Sequence, residues 1–248
     1  MKRYLRLFPL VIAAGILCTG CDLSDTDALV ENGKEIIDNT FYNIGDVTVF
    51  DERFEILSGD VERRIITENP VNDISVTTAG CSFNIKDSGD DFCYIEGKEI
   101  EKLQIYEENG VAYVHALKNS NVTDSMEIDL YIPFGKCFGK AEVDLGAGYV
   151  GIGSLVARDI ELNVGAGSLE GNVFPTEGMK LNCDMGNISV TAAGNKEAYD
   201  YLVSVTAGAA SIADEEFNGV SREFVDNKAG KKIELDVAVG NISLNFTE

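Results

Sequence analysis

Histidine is nearly missing from this chain: His115 is the only one in 248 residues. A histidine-cluster metal site is thereby excluded, and so is a Ser-His-Asp triad with a second base in reserve. Its place in the apolar stretch Val111 to Leu117 favours a surface or core histidine over a catalytic one. Basic residues are also scarce, with Lys+Arg 20 against Asp+Glu 42, a formal net charge of -22 and a pI near 4.3. That balance argues against a nucleic-acid backbone as partner and against simple electrostatic adsorption to anionic lipid. The acidity reads as colloidal solubility rather than as a dedicated cation site. The apolar run from Leu7 to Leu17 covers 11 residues, too few to span a bilayer. Cys81, Cys93, Cys137 and Cys183 lack the Cys-x-x-Cys spacing of a zinc or redox site. The Gly-x-Gly phrases lack the Lys-Ser/Thr or third glycine of a nucleotide loop.

The N-terminus is more explicit. Met1-Lys-Arg-Tyr-Leu-Arg6, the apolar run and Cys18-Thr-Gly-Cys21 have the order of an export signal. Thr19-Gly20 before Cys21 resembles a bacterial lipobox, with Cys18 where that motif usually has Leu. The resemblance implies a signal peptide over 1–20, lipid attachment at Cys21, a lipidated tether over 21–43 and a domain over 44–248. Loss of residues 1–20 would remove Lys2, Arg3 and Arg6 and no acid, taking the charge from -22 to -25. Each buried lipid methylene contributes about 0.8 kcal/mol, and two chains suffice to hold such a polyanion on a membrane. The expected location is extracytoplasmic. An even number of cysteines there permits up to two disulfides in three connectivities, but a core of this size does not need them, and free, mostly buried thiols are expected.

Length allows one large all-β domain or two smaller ones. Short apolar groups occur at Val47 to Phe50, Phe54 to Leu57 and Ile65-Ile66, and Pro70 marks a boundary. Ile74 to Ile85 then alternates at period 2 around a kink at Ala79-Gly80-Cys81. Asp87-Ser-Gly-Asp-Asp91 is expected to be a solvated turn, since it lacks the spacing and terminal Glu of a calcium loop. Cys93 to Ile95, Leu103 to Tyr106 and Val111 to Leu117 read as strands, the last two joined at Asn109-Gly110 by a tight hairpin. Met126 to Ile132 is another.

From residue 141 onward one phrase recurs. Aligning Gly148, Gly167, Gly186, Ala210 and Gly240 gives steps of 19, 19, 24 and 30 residues. Seven before the aligned position stand Ala141, Ile160, Met179, Val203 and Ile233; five before, Val143, Leu162, Leu181, Val205 and Leu235. Three before stand Leu145, Val164, Cys183, Ala207 and Val237, and two after stand Val150, Leu169, Ile188, Ile212 and Ile242. All are apolar, and the residues between them are mostly polar. Period 2 on both sides makes each copy a strand pair with one inward face, cornered by a glycine where a side chain would clash or φ must be positive. Such a unit cannot bury its inner face alone, so copies are expected to stack about 4.8 Å apart with like columns in contact. Cys81 marks an early copy, with Ile74, Val76, Phe83 and Ile85 in the inward columns. The expected fold is all-β, a β-solenoid like a parallel β-helix, with stacked coils of about 19 residues or more and a short N-terminal tether. Its last coil, Ile242 to Phe246, would leave an open edge. The insertions at 191–201 and 214–232 bring Tyr199, Tyr201, Phe217 and Phe224, expected to cover the flank or the open end rather than to form functional loops.

The Gly-Ala-Gly-Ser-Leu and Gly-Asn-Ile-Ser phrases, Tyr131-Ile-Pro133 and the Tyr-Asp-Tyr insertion resemble the bacterial putative-adhesin domain of unknown function, over Ile74 to Phe246. The resemblance implies a β-helical envelope or extracellular protein and carries no catalytic residues. The expected function is a noncatalytic, surface-anchored lipoprotein acting as an adhesin or envelope scaffold, without cofactor or metal. Its partners would be the membrane, through Cys21, and a glycan, envelope protein or host-surface ligand. The alternatives are a β-helical polysaccharide-acting enzyme and an envelope-stress or regulatory module. Catalysis would need clustered carboxylates, whereas Asp144, Asp159, Glu161, Glu170 and Asp184 scatter over outward positions, with Arg158 and Lys180 the only bases between Ala141 and Val190.

Overall fold

The computed structural model describes residues 50–118 and 125–247. The expected signal peptide, the tether, Cys21 and the apolar group from Val47 to Val49 lie outside the described residues.

Alternation becomes strand throughout. β1 (Leu57–Ile65) is followed by β2 (Asp73–Ala79) and β3 (Cys81–Ser88), split at Gly80, whose φ of 77° permits the kink. β4 (Tyr94–Glu108) and β5 (Val111–Leu117) form the expected hairpin, with Asn109 and Gly110 at φ 56° and 79°. Two successive positive φ values match the twist of the flanking strands, which is why Asn-Gly belongs there. β6 (Glu127–Pro133) and β7 (Cys137–Leu145) lead into two long strands, β8 (Gly148–Val164) and β9 (Ser168–Cys183), and then β10 (Asn187–Ala193). The remaining strands are β11 (Asp200–Val205), β12 (Ala209–Ile212), β13 (Glu215–Asn218), β14 (Ser221–Val225), β15 (Lys232–Val237) and β16 (Asn241–Thr247).

Like columns do pair in parallel. Ala141 lies against Ile160, Ile160 against Met179, and Met179 against Ile233, while Val150, Leu169, Ile188 and Ile242 form the matching row after the glycine. The early copy joins in register, with Ile74 on Ala141 and Phe83 on Val150. These rows line the core, where Val143, Val150, Leu162, Leu169 and Leu181 are fully buried. Each such side chain contributes about 1.5–3 kcal/mol relative to exposure.

The architecture is nevertheless not a β-solenoid. β4 runs antiparallel to both β6 and β5, tying the two ladders together, and β8 pairs with both β3 and β7. The hydrogen-bonded order β8-β3-β6-β4-β5-β2-β7 therefore returns to β8, a closed seven-strand β-barrel to which the other strands are added. A solenoid stacks its units in sequence order, each touching only its neighbours. Here the order is broken as well as closed. β15 and β16 insert between the third copy (β9, β10) and the fourth (β11, β12), so the C-terminal strand β16 is paired on both sides and is no open edge. Antiparallel β14 and β13 flank β11 and β12 instead.

The fourth copy also needs a register correction. Tyr201, Val203 and Val205 pair with Ile233, Leu235 and Val237, and Ala210 pairs with Ile242, so its corner residue is Gly208 rather than Ala210. The reason is close approach. A Cβ on Gly208 would stand 2.0 Å from the Gly240 carbonyl oxygen, one on Gly240 2.3 Å from that of Gly186, and one on Gly186 2.3 Å from that of Gly167. Only Gly148 among the five corners also has positive φ. Clash, not dihedral freedom, selects glycine at the others.

The insertions pack mostly inward. Tyr199, Tyr201 and Phe217 are buried; Tyr199 stacks on Phe246 and donates to the Ala193 carbonyl, and Tyr201 donates to that of Lys196. Phe224 is the exception, and is exposed. All four described cysteines are free, Cys137 exposed and the others buried. Burial raises the Cys81 and Cys183 thiols above their ordinary range and Cys93 to about 11, so these three stay protonated and unreactive at neutral pH.

Candidate functional site

Outward side chains on the ladder through β3, β8, β9 and β10 form three rows. The first contains Ser82, Tyr149, Ser168 and Asn187, and the second Asn84, Gly151, Glu170 and Ser189. The third contains Lys86, Gly153, Asn172 and Thr191. On β8 the second and third rows hold glycine, so strand backbone is bare where its neighbours carry side chains. The result is a trough of about 510 Å³ over Gly151 and Gly153.

Tyr149 lies into this gap. A Cβ on Gly151 would stand 3.1 and 3.2 Å from its hydroxyl oxygen and Cε1, and 2.9 Å from Asn84 Oδ1. A side chain at position 151 would crowd the ring and push it by a few tenths of an ångström. Its hydroxyl donates to Glu170 Oε1 at 2.5 Å. That bond, followed by burial, raises the Tyr149 pKa above the ordinary phenol range, so the hydroxyl remains a donor at neutral pH. The walls are fixed by similar pairs. Asn84 Nδ2 donates to Asp129 Oδ1 at 2.9 Å, Lys86 Nζ pairs with Asp129 Oδ2 at 2.7 Å, and Asn172 Nδ2 donates to the Gly153 carbonyl at 3.0 Å. The Asp129 bond is the chief cause holding the Lys86 ammonium above its usual pKa. Every group stands on a strand, and strand-borne side chains locked by neighbours keep their geometry better than loop-borne ones.

Beyond Lys86 lies an aromatic row. Tyr131 stacks on Tyr94 at 4.5 Å between centroids, Lys86 Nζ is 5.8 Å from the Tyr131 centroid, and the Arg63 guanidinium covers Tyr94 at 4.3 Å. Arg63 also pairs with Asp90, placing the expected turn at Asp87 to Asp91 in an ion pair with β1.

The acids singled out in sequence separate. Glu170 joins the trough; Asp144 accepts from Asn163 at 2.6 Å, and Glu161 shares Lys140 with Glu142 on the other ladder. Asp159 and Asp184 stand apart from them as exposed residues. Among the described residues, no three His, Cys, Asp or Glu side chains group as metal ligands.

His115 belongs to a second cluster, on the β5 side. Phe54, Tyr106 and Tyr113 stack in series at 4.1 and 4.8 Å, and His115 Nε2 shares a 3.2 Å hydrogen bond with the Tyr106 hydroxyl. Fully buried Gln104 clamps the segment above: Asp51 N–H donates to its Oε1, and its Nε2 donates to the carbonyls of Asp51 and Phe54. Gln104 ties the half-buried rings of this cluster to the segment that covers them, which is packing, whereas the trough is an open concavity.

Tyr149, Asn84, Lys86 and Asn172 lie outside the inward columns, so the apolar alternation does not mark them. Outward columns carried a signal: Gly151 and Gly153 interrupt rows otherwise filled by Asn, Glu, Ser, Thr and Lys.

No family model matches the chain, and no curated protein matches it. Among solved structures, a putative cell adhesion protein from Clostridium sporogenes ATCC 15579 is 13% identical with a TM-score of 0.48, covering 77% of this chain and 100% of that one. A putative adhesin from Bacteroides fragilis NCTC 9343 is 15% identical with a TM-score of 0.34 over 77% and 97% of the two chains. A putative lipid binding protein from Parabacteroides distasonis ATCC 8503 is 13% identical with a TM-score of 0.29 over 75% and 96%.

Proposed function

We propose that the protein is a noncatalytic binding module, held outside the cytoplasm by lipid on Cys21, that engages an envelope or surface component through the glycine-floored trough. The observation that carries the reading is the fixed state of the trough before any ligand arrives: Tyr149 on Glu170, Asn84 and Lys86 on Asp129, Asn172 on the Gly153 carbonyl. Preorganised groups lose little further freedom on binding, which favours affinity. The same commitments count against turnover. Glu170 and Asp129 are already engaged as acceptors, whereas a glycosidase needs one carboxyl free to donate and its partner free to attack or activate water.

The test is a photo-crosslinking residue placed at Asn172 in the trough and, separately, at Lys231, which precedes β15, lies against the Tyr199 ring and does not line the trough, in cells producing the full chain. Adducts at Asn172 and not at Lys231 are expected. Equal adducts at both, or none, would remove the trough from the function. Turnover of a glycan by the purified protein, lost in Glu170→Gln, would replace the binding reading with the enzymatic one. For the anchor, a fatty-acid analogue should label the wild type and leave Cys21→Ala unlabelled.

A further inference from the structure

We infer that the trough is a subsite for a neutral pyranose ring of an oligosaccharide, with Tyr149 as its stacking platform. The inference rests on the trough being the binding site and specifies what binds there.

Three features select this chemistry. First, Tyr149 is a flat surface held in one orientation, laid over the bare backbone of Gly151 and pinned at its hydroxyl by Glu170. A sugar ring has apolar C–H faces that pack on an aromatic plane, and a platform whose rotamer is already fixed loses no rotational freedom on stacking. Second, the platform is edged by Asn84, Lys86, Asn172 and Thr191, a mixed set of donors and acceptors. Vicinal hydroxyls each donate and accept, so amide, hydroxyl and ammonium groups around one flat ring complement a polyol better than they complement an apolar side chain. Third, the charge is wrong for an acidic ligand. Glu170 lies within the trough, the lining cation Lys86 is already paired with Asp129, and the chain carries -22. A uronate or phosphate would meet like charge at close range.

Gly151 thus acts as the specificity-determining position. A methyl group there would fall 2.9 Å from Asn84 Oδ1 and 3.1–3.2 Å from the Tyr149 hydroxyl oxygen and Cε1, all on flexible side chains, so the amide and the ring would shift by a few tenths of an ångström with the strand preserved. Gly151→Ala is therefore a more discriminating variant than removal of the tyrosine.

The experiment titrates the purified full chain with soluble hexasaccharides of β-1,4-glucose, α-1,4-glucose, β-1,4-xylose and β-1,4-mannose by calorimetry, with oligogalacturonate as the acidic comparison. Saturation-transfer NMR identifies which ligand protons touch aromatic hydrogens. At least one neutral hexasaccharide is expected to bind, through its ring C–H protons. Its affinity should fall by about tenfold or more in Tyr149→Ala, fall by a smaller factor in Gly151→Ala, and stay unchanged in Ser211→Ala, outside the trough. Melting temperatures of all variants verify folding. Absence of binding by every neutral hexasaccharide, equal binding of oligogalacturonate, or full affinity in Gly151→Ala would overturn the inference. If, in that case, crosslinks from Asn172 in cells still form, the ligand class is wrong and the trough stands; if they too are absent, both readings fall.

Discussion

Acid should weaken this protein through one side chain, and the size of the effect follows from where His115 sits. His115 is 8% exposed, its Nε2 shares a hydrogen bond with the Tyr106 hydroxyl, and its Nδ1 has no hydrogen-bond partner among the described residues. The groups around it are the Tyr106 and Tyr113 rings and, in the covering segment, Asp51 paired with Arg53. Burial outweighs the Asp51 charge and lowers the pKa from 6.5 to about 4. Because the folded value lies below the unfolded one, the unfolded chain binds more protons between them. Stability contributed by neutral His115 is therefore complete above pH 6.5 and lost as pH falls to about 4. At 1.36 kcal/mol per pH unit the loss amounts to about 3 kcal/mol. Carboxylates titrate in the same window, so the quantity to measure is a difference. Urea unfolding at intervals from pH 7.5 to 4 would compare the wild type with His115→Phe, which keeps an aromatic ring beside Tyr113 but cannot take a proton. The variant loses the Tyr106 hydrogen bond, a cost constant with pH. The stability of the wild type minus that of the variant should fall by about 3 kcal/mol between pH 7.5 and pH 4. Parallel curves would refute the argument, meaning that protonated His115 finds water or a carboxylate in the folded state.

Other perturbations test the packing. Gly186→Ala puts a Cβ 2.3 Å from the Gly167 carbonyl oxygen, between backbones that cannot rotate aside, and should cost about 1–3 kcal/mol in urea unfolding; no loss would mean that the corners are not in close contact. Val164→Asp places a carboxylate between Leu145 and Cys183, and circular dichroism should show an unfolded domain at 25 °C, while Val164→Ile should cost less than about 1.5 kcal/mol. Phe224→Ser, at a side chain 62% exposed, should change stability by no more than about 0.5 kcal/mol. Deleting residues 241–248 removes β16 from between β10 and β12, so amide exchange in β12 and β13 should lose protection; retained protection would show that these strands do not depend on the C-terminal strand.

Inward columns were legible because burial imposes a uniform requirement. Of the twenty positions, the sixteen outside the fourth copy carry the observed pairings, as with Ala141, Ile160 and Met179 and with Val150, Leu169 and Ile188, whereas the fourth copy's four are shifted by two and its Ala207 is exposed. Closure and order were not legible, since both depend on pairings that polarity does not encode. β4 alternates like its neighbours, and nothing in its residues states that one half will run antiparallel to β6 and the other to β5. The fourth copy was misaligned at Ala210 for a related reason: Gly208-Ala-Ala210 offers apolar residues two apart, so a shift of two leaves the alternation intact. Only the requirement for a residue without Cβ beneath the Gly240 carbonyl chooses between the registers. β1 joins the apolar ends Phe54 to Leu57 and Ile65-Ile66, expected as separate brief strands, through Glu62, Arg63 and Arg64, whose slight burial leaves no clean period.

The same contrast explains why the trough was invisible when the fold was partly visible. An inward position has one solution, apolar and of suitable volume, and repetition makes that solution conspicuous. An outward position is free, so Asn, Ser, Thr and Glu succeed one another without pattern until a residue is too small for its row. Glycine in the middle of a strand costs about 0.5–1 kcal/mol relative to alanine. Gly153 falls at the irregularity between Ile152 and Leu155 and close to the Ile85 carbonyl, where strand geometry itself favours glycine. Gly151 is outward, has no positive φ and lies at no corner of the repeat, so strand geometry alone does not account for its small size. What Gly151 provides is space, occupied by the Tyr149 ring and bounded by Asn84. A position that sacrifices strand stability to seat a neighbouring ring is where a scaffold and a site make opposing demands, and in this molecule the two meet on β8.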